Sequence, residues 1–546
     1  MSATATDQRT ETRRIGRGRL RNRSRPPVHL WIPALLVTGA VLLPLAYLAL
    51  RTVGGGEDAL TLLGRARTLD IVLRSLALVL TVTVGSTVLA VPLAWLTVRT
   101  DLPGRRVWAV LTALPLVIPS YIGAYLMVVA LAPGGMLEDA LAPLGIGRIP
   151  GFIYGLPGAT MALTLLCYPY VLLTVRAALW RLDPALEETA RSLGHGPWAT
   201  FRRVTLPLLW PAIAAGALLV ALYTLSDFGA VSILRYETFT WAIYVQYESA
   251  FNREIAAALS LVLVLMAFGL LALEARTRRR AEHLQTTKTG SSAPPTRVAL
   301  GRWRWPALGL CSVVVLCALV LPMGVLIYWV VRGVSAGEPL LVLWKPALNS
   351  ITAGALAAGA TVLAALPLAI LTVRYRTRLG PLLERLSHVG FALPGVVVAL
   401  SLVFFGINFA YPLYQTLALL IFAYVVLFLP TALGTLRTSL MQVGPSLEEA
   451  ARSLGKTPLR AFARVSLPLM RSGVLAGAAL VFLLTMKELP ATLILSPFDF
   501  KTLATSIWSA VSEAFFARAA APALLLILVS SVPMAILILQ ERGWDR

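Results

Sequence analysis

The chain has 546 residues, of which 58% are hydrophobic and only 14% charged, with a mean hydropathy of +0.77. Soluble domains carry roughly a quarter of their residues as Asp, Glu, Lys or Arg, so this composition excludes an ordinary soluble enzyme, a disordered tail and a nucleic-acid-binding module. The 48 basic residues exceed the 26 acidic ones by 22; because they punctuate long apolar runs, the excess reads as the charge bias that orients a polytopic membrane protein.

From the N-terminus, a polar leader with eight arginines before residue 26 has too little apolar surface to form a core and is expected to be disordered. Its Arg13–Arg14 pair precedes a full-length apolar run with more runs behind it, so it reads as a retained topology signal and not as a twin-arginine export signal. Crossing the hydrocarbon core takes about 20 mainly apolar residues. Twelve stretches qualify, near 30–50, 72–98, 107–131, 153–178, 209–231, 254–274, 306–331, 349–373, 386–408, 412–436, 470–487 and 519–540. They are continuously apolar, which excludes a barrel of alternating strands. The basic groups Arg99, Arg105, Arg106, Arg202, Arg203, Arg374, Arg376 and Arg378 fall on one side of the membrane if there are twelve spans with both termini cytoplasmic. The leader and the segment RTRRRAEHLQTTKTGSSAPPTR (276–297) fall there too. The opposite loops are balanced, as with Glu138, Asp139 and Arg148. Cys167, Cys311 and Cys317 sit inside apolar runs without metal-ligand spacing and read as small hydrophobes.

Self-comparison shows two copies of one unit. PALEETARSLGHGPWATFRRVTLP (184–207) recurs as PSLEEAARSLGKTPLRAFARVSLP (445–468), 261 residues on, with 15 of 24 positions identical. VPLAWLTVRT recurs as LPLAILTVRY 275 residues on, and Pro119 falls on Pro394 with the same shift. The difference of 14 residues is absorbed around 131–151. Six spans per copy is an even number, so both copies enter from the same side and lie parallel, with a pathway between them. The expected division is a leader at 1–28, a first repeat at 29–275, a linker at 276–305 with a flexible SSAPP tract, and a second repeat at 306–546.

The repeated loop is too patterned for a connector. EEAARSLG is rich in helix formers and stops at Gly455, after which Thr457–Pro458 supplies a cap and a first-turn proline for a second helix; Gly194 and Gly196–Pro197 take the same places in the first copy. A solvated basic loop would keep charge and lose these fixed positions. EAARSLGKTPLRAFARVSLP resembles the "EAA" signature of permease subunits of ATP-binding-cassette (ABC) importers, filled here by Glu449, Ala450, Ala451, Gly455, Val465, Leu467 and Pro468. The first copy matches with Glu188, Ala190, Gly194, Val204, Leu206 and Pro207, departing at Thr189. The resemblance implies an all-α permease fold whose two loops enter clefts on two copies of a cytoplasmic ATPase subunit, the glycines making the turn and the glutamates fixing the short helix. It also implies a periplasmic substrate-binding protein as partner, inner-membrane location among lipid, and ATP used by the partner with no cofactor on this chain. No G-x-x-x-x-G-K-[ST] phosphate loop, catalytic triad or zinc constellation occurs, so a non-enzyme subunit is expected.

The fused layout is most similar to ferric-iron permeases, through LSDFGAVSILRYETFTWAIYVQYESAF (225–251) and MKELPATLILSPFDFKTLATSIW (486–508); thiamine permeases share that layout, so a permease for thiamine or another small solute is the alternative. Shifted by 261, Ser226–Asp227 falls on Lys487–Glu488, at the outer ends of spans five and eleven. An ionisable group there faces water, protein or a counter-charge. These four residues are either pathway or gate groups, whose carboxylate oxygens suit a hard cation, or members of internal ion pairs such as Lys487 with Glu488; no metal-binding set is assigned. Arg235, Tyr236 and Glu237, with Phe498, Asp499 and Lys501, mix charge with aromatics and read as contacts for the binding protein or as aromatic-belt residues. A gradient-driven secondary transporter shares parallel six-span repeats but gives no reason for two preserved loops.

Overall fold

The computed structural model describes residues 27–54, 66–144, 152–248, 253–284, 298–337, 343–375, 377 and 379–541. The leader to residue 26, most of the basic linker, Arg148, Arg376 and Arg378 lie outside the described residues. Within the bilayer every backbone polar group is satisfied inside its own segment, and the described residues are accordingly helical, with one isolated β-bridge.

Ten helices are long and apolar enough to cross a membrane, and two bent pairs bring the number to twelve. The first six spans are Leu30–Arg51, Ala66–Arg99, Ser120–Asp139, Leu156–Trp180, Trp198–Ser226 and Ile255–Leu273. The seventh, Gly301–Ser335, runs through a π-turn at Leu316–Val320; the eighth is Trp344–Arg374, the tenth Leu417–Gln442 and the twelfth Phe516–Glu541. The ninth is bent by 99° between Gly380–Gly390 and Gly395–Phe409, and the eleventh by 73° between Pro458–Leu469 and Arg471–Lys487. The apolar runs near 107–131 and 386–408 are therefore each two pieces. Pro119 and Pro394 sit in extended backbone at φ −60° and −61°, which ends one piece and starts the next.

The halves interlock. Ala34, Val41 and Leu48 of the first span belong to one core with Ala353, Ala357, Ala365 and Val397 of the second half. Reciprocally, Ala307, Cys311, Val314 and Ala318 of the seventh span pack into the core built by spans two and four. A third cluster joins Tyr121, Tyr125 and Phe228 to Met486, Leu503 and Ala519. Lipid tails are as apolar as leucine, so close contact between helices has to come from small side chains; the alanines of the eighth span supply it. All three cysteines are free thiols.

Candidate functional site: two seated loops and a carboxylate pair

Each repeated loop folds as a short helix, Pro184–Ser192 and Pro445–Ser453. Asp183 caps the first, accepting from the Ala185 amide at 3.0 Å. Both end in the same Schellman closure: the His195 amide donates to the Ala190 carbonyl at 3.2 Å and Lys456 to Ala451 at 3.1 Å, around Gly194 and Gly455 at φ +85° and +80°. Nothing lies within 4 Å of a Cβ placed on either glycine, so the backbone conformation alone demands glycine there. A second turn, Pro197–Thr200 or Pro458–Ala461, then leads through π-turns at Phe201–Thr205 and Phe462–Ser466 into the long helices of spans five and eleven. Thr457 caps the second of these turns, accepting from the Arg460 amide at 3.4 Å. Leu206–Pro207 open the helix Leu206–Ser226 of span five itself, whereas Leu467–Pro468 open the short helix Leu467–Leu469, which meets Arg471–Lys487 at the 73° bend.

The glutamates that hold the short helices are Glu187 and Glu448, one residue before the signature's Glu188 and Glu449. Glu187 accepts from Thr205 at 2.8 Å and lies 3.5 Å from Arg99 at the end of the second span. Glu448 accepts from Arg374 Nε and Nη2 at 3.0 and 2.8 Å, and from Ser466. Each of these residues is the repeat equivalent of its counterpart, so each short helix is clamped to the ends of two spans. Glu188 and Glu449 face outward with Ala450; Ala190 is buried and Ala451 half-buried. Residue-type resemblance pointed to the second glutamate of each pair, although the helical period brings the first toward the membrane. Arg99 and Arg374, ending the repeated VPLAWLTVRT and LPLAILTVRY segments, were the available signal for the clamp. Outward, each loop bares three large apolar side chains: Leu186, Leu193 and Trp198 in one, Leu447, Leu454 and Leu459 in the other. These too are repeat equivalents, with Leu454 82% exposed.

Where spans five and eleven end, the acidic residues cap short helices. Asp227 Oδ1 accepts from the Ala230 and Val231 amides at 2.9 and 3.3 Å, and Glu488 Oε1 accepts from Ala491 at 3.2 Å. Asp227 is buried and Glu488 half-buried. The shorter Asp227 has the Ser120 hydroxyl beside it. At the equivalent place facing Glu488 stands Gly395, where a Cβ would fall 2.1 Å from Oε1. Side-chain length and its neighbour thus change together between the halves. Lys487 makes no bond to Glu488; its Nζ donates to the Leu116 carbonyl at 2.6 Å, tying second half to first. Ser226, its equivalent, is half-buried. Among the described residues no group of three or more His, Cys, Asp or Glu side chains could hold a metal ion.

Further along, Arg235 and Asp499 both have positive φ, 54° and 64°, Arg235 in the turn that closes Gly229–Ile233 and Asp499 in the turn between Pro497 and Phe500. Arg235 lies 5.0 Å over the Tyr154 ring, Tyr236 is buried and donates to the Arg74 carbonyl at 3.0 Å, and Glu237 pairs with Arg67 at 3.1 Å. Asp499 pairs with Lys345 at 2.6 Å, which holds its carboxyl below the usual range. Lys501 is exposed and Phe498 is 96% exposed. Tyr236 is therefore a packing residue, while Phe498, Arg235, Asp499 and Lys501 form the accessible part of this rim.

The family model for the binding-protein-dependent transport system inner membrane component matches residues 86–282 and again 349–546. The Fe(3+)-transport system permease protein FbpB 2 of Haemophilus influenzae is 37% identical over 94% of this chain and 98% of its own length. The ferric transport system permease protein FbpB of Actinobacillus pleuropneumoniae is 25% identical over 87% of this chain and 71% of its own. The molybdenum transport system permease protein ModB of Escherichia coli K12 is 33% identical over 32% of this chain and 77% of its own. With two seated loops, two interlocked six-span halves and both halves matched, the chain belongs to the binding-protein-dependent transport inner-membrane component family, as a fused two-copy ABC importer permease.

Proposed function

We propose that the chain carries ferric iron, delivered by a periplasmic binding protein, across the inner membrane by alternating access, with both termini cytoplasmic. Two ATPase subunits dock on the paired loops and supply the energy; the chain itself binds no nucleotide and catalyses no reaction. The observation that carries the coupling role is the pair of clamped helices, each baring three apolar side chains on one side and fixed by glutamate to two spans on the other. Closure of the motor subunits pushes these helices, and the Glu187 and Glu448 clamps pass the displacement to spans two, five, eight and eleven. A rim comprising Arg235, Phe498, Asp499 and Lys501 receives the binding protein.

Iron as cargo is supported by similarity to a ferric permease along almost the whole chain and by hard carboxylate oxygen at the junction of the halves. Molybdate is the second reading, because a stretch of 181 residues is 33% identical to a molybdenum transport system permease and Lys487 brings a cation to the same junction. Radiolabelled ferric iron and molybdate uptake are measured side by side in cells expressing the chain with its ATPase and binding protein. Asp227→Asn combined with Glu488→Gln is expected to lower iron uptake at least about tenfold while the ATPase stays bound. Unchanged iron uptake discards the pathway role, and molybdate uptake without iron uptake reverses the cargo.

A further inference from the structure

The amides of Val298 and Leu300 are bonded to Arg99 and Asp101 at the end of span two, and Arg304 pairs with Asp101. This seam joins the start of span seven to the end of span two, on the side of the membrane where Arg99 meets Glu187. Its two segments, 101–106 and 298–305, carry Arg105, Arg106, Arg302 and Arg304 against one carboxylate, Asp101. Arg106 and Arg302 are exposed, and so are Trp303 and Trp305, at 64% and 76%. Tryptophan beside arginine at the end of a membrane helix is the chemistry of the headgroup layer, where the indole is part apolar and the cation meets phosphate.

A cleft continues the seam into the bilayer. Spans two, four and seven leave about 610 Å³ between them, with Leu89, Met161, Leu165, Val313 and Cys317 on the walls. The hydroxyls of Thr81 and Thr160 are bonded to each other at 2.9 Å, and Thr164 adds one more to the wall. Such a lining offers little to water or to a charged solute. Val313 lies roughly 12 Å along the helix from Trp305, at about 1.5 Å per residue, within the ~15 Å that the tails of one leaflet span. The same helix stays bare at Leu316, Val320 and Ile327, so hydrocarbon, and not a soluble subunit, covers it. We propose that one acidic phospholipid sits on this seam, its headgroup at Arg302, Trp303 and Trp305 and one tail in the cleft. The excess of arginine selects an acidic headgroup over a zwitterionic one, and the cleft selects a lipid over a soluble phosphate. Bound there, the lipid fastens span seven of the second half to spans two and four of the first, beside the first clamp. Its leaflet rests on the cytoplasmic side proposed for the loops; the site itself depends neither on that side nor on the cargo.

The test uses the full-length chain in mild detergent, stripped of lipid and titrated with phosphatidylglycerol, phosphatidylcholine or glycerol phosphate at fixed ionic strength. Native mass spectrometry counts retained lipid, and hydrogen exchange at Val298 and Leu300 locates it. Phosphatidylglycerol is expected to be retained and to slow exchange at both amides, with phosphatidylcholine held about tenfold more weakly and glycerol phosphate without effect. Arg302→Gln should lower phosphatidylglycerol affinity about fivefold and leave that of phosphatidylcholine unchanged. Val313→Trp, at an exposed position, fills the cleft and should release lipid of both kinds; Arg302→Gln serves if that variant does not fold. Arg332→Gln, at the opposite end of span seven, should change neither. Equal retention of the two lipids overturns the proposal, as does protection by glycerol phosphate alone, or phosphatidylglycerol retention unmoved by both Arg302→Gln and Val313→Trp. An error in the side assigned to the loops leaves all these results standing and is read separately, from which leaflet of asymmetric vesicles gives the protection.

Discussion

Glu187 and Glu448 do what their more visible neighbours do not. Replacing Glu187 with Ala leaves the 1% exposed Arg99 without its carboxylate, and an uncompensated buried charge costs about 3–5 kcal/mol. Faster amide exchange across Pro184–Ser192 is the expected result, with ATPase activity no longer stimulated by loaded binding protein. Glu188→Gln, on the exposed face, should leave that exchange unchanged and act only on ATPase affinity. Equal protection in the two variants would remove the clamp from the mechanism. Gly455→Val asks a β-branched residue to adopt φ near +80°, at about 1–3 kcal/mol. Uptake per ATP hydrolysed is expected to fall while the chain still inserts and purifies.

At the scale of elements, the end of the linker is fastened beside the first clamp. The Val298 amide donates to the Arg99 carbonyl at 2.8 Å, the Leu300 amide donates to Asp101 at 2.9 Å, and Arg304 pairs with Asp101 at 3.1 Å. The Leu300 amide, then Arg304, hold the Asp101 carboxyl below its ordinary range. A depressed carboxylate contributes stability above its unfolded value and loses it as pH falls through the folded value, so this fastening loosens only in acid, below the usual carboxylate range. Hydrogen exchange at Val298 and Leu300 measures it. Exchange should rise on acidification beyond its intrinsic pH dependence, and Asp101→Asn should show the faster exchange already at neutral pH. The arginine seat beside this strap, at 3.5 Å from Glu187, is looser than the one at Arg374, 2.8 Å from Glu448.

For the whole molecule, the exchange of first spans makes each half part of the other's core. A protease site placed between residues 285 and 297 and cut in the membrane is expected to leave the halves co-purifying, because spans one and seven remain buried in the opposite half. Separation on mild-detergent gel filtration would contradict that packing. The third cluster joins the halves through aromatic contacts, with Tyr125 stacked 5.8 Å from Phe516 and Phe228 5.1 Å from Trp508.

Twelve apolar stretches, two parallel copies and the glycine-closed loops follow from local rules. Crossing length, the repeat offset and the requirement for positive φ are all properties of short segments, readable at Gly194 and Gly455 before any fold is known. Burial is not such a property. Which glutamate of each pair turns inward, that Lys487 reaches Leu116 and not Glu488, that Tyr236 is packed while Phe498 is bare, and that spans one and seven trade places were all decided by tertiary structure. Each depends on what stands opposite a side chain across helices hundreds of residues apart, and chain spacing carries no measure of that distance.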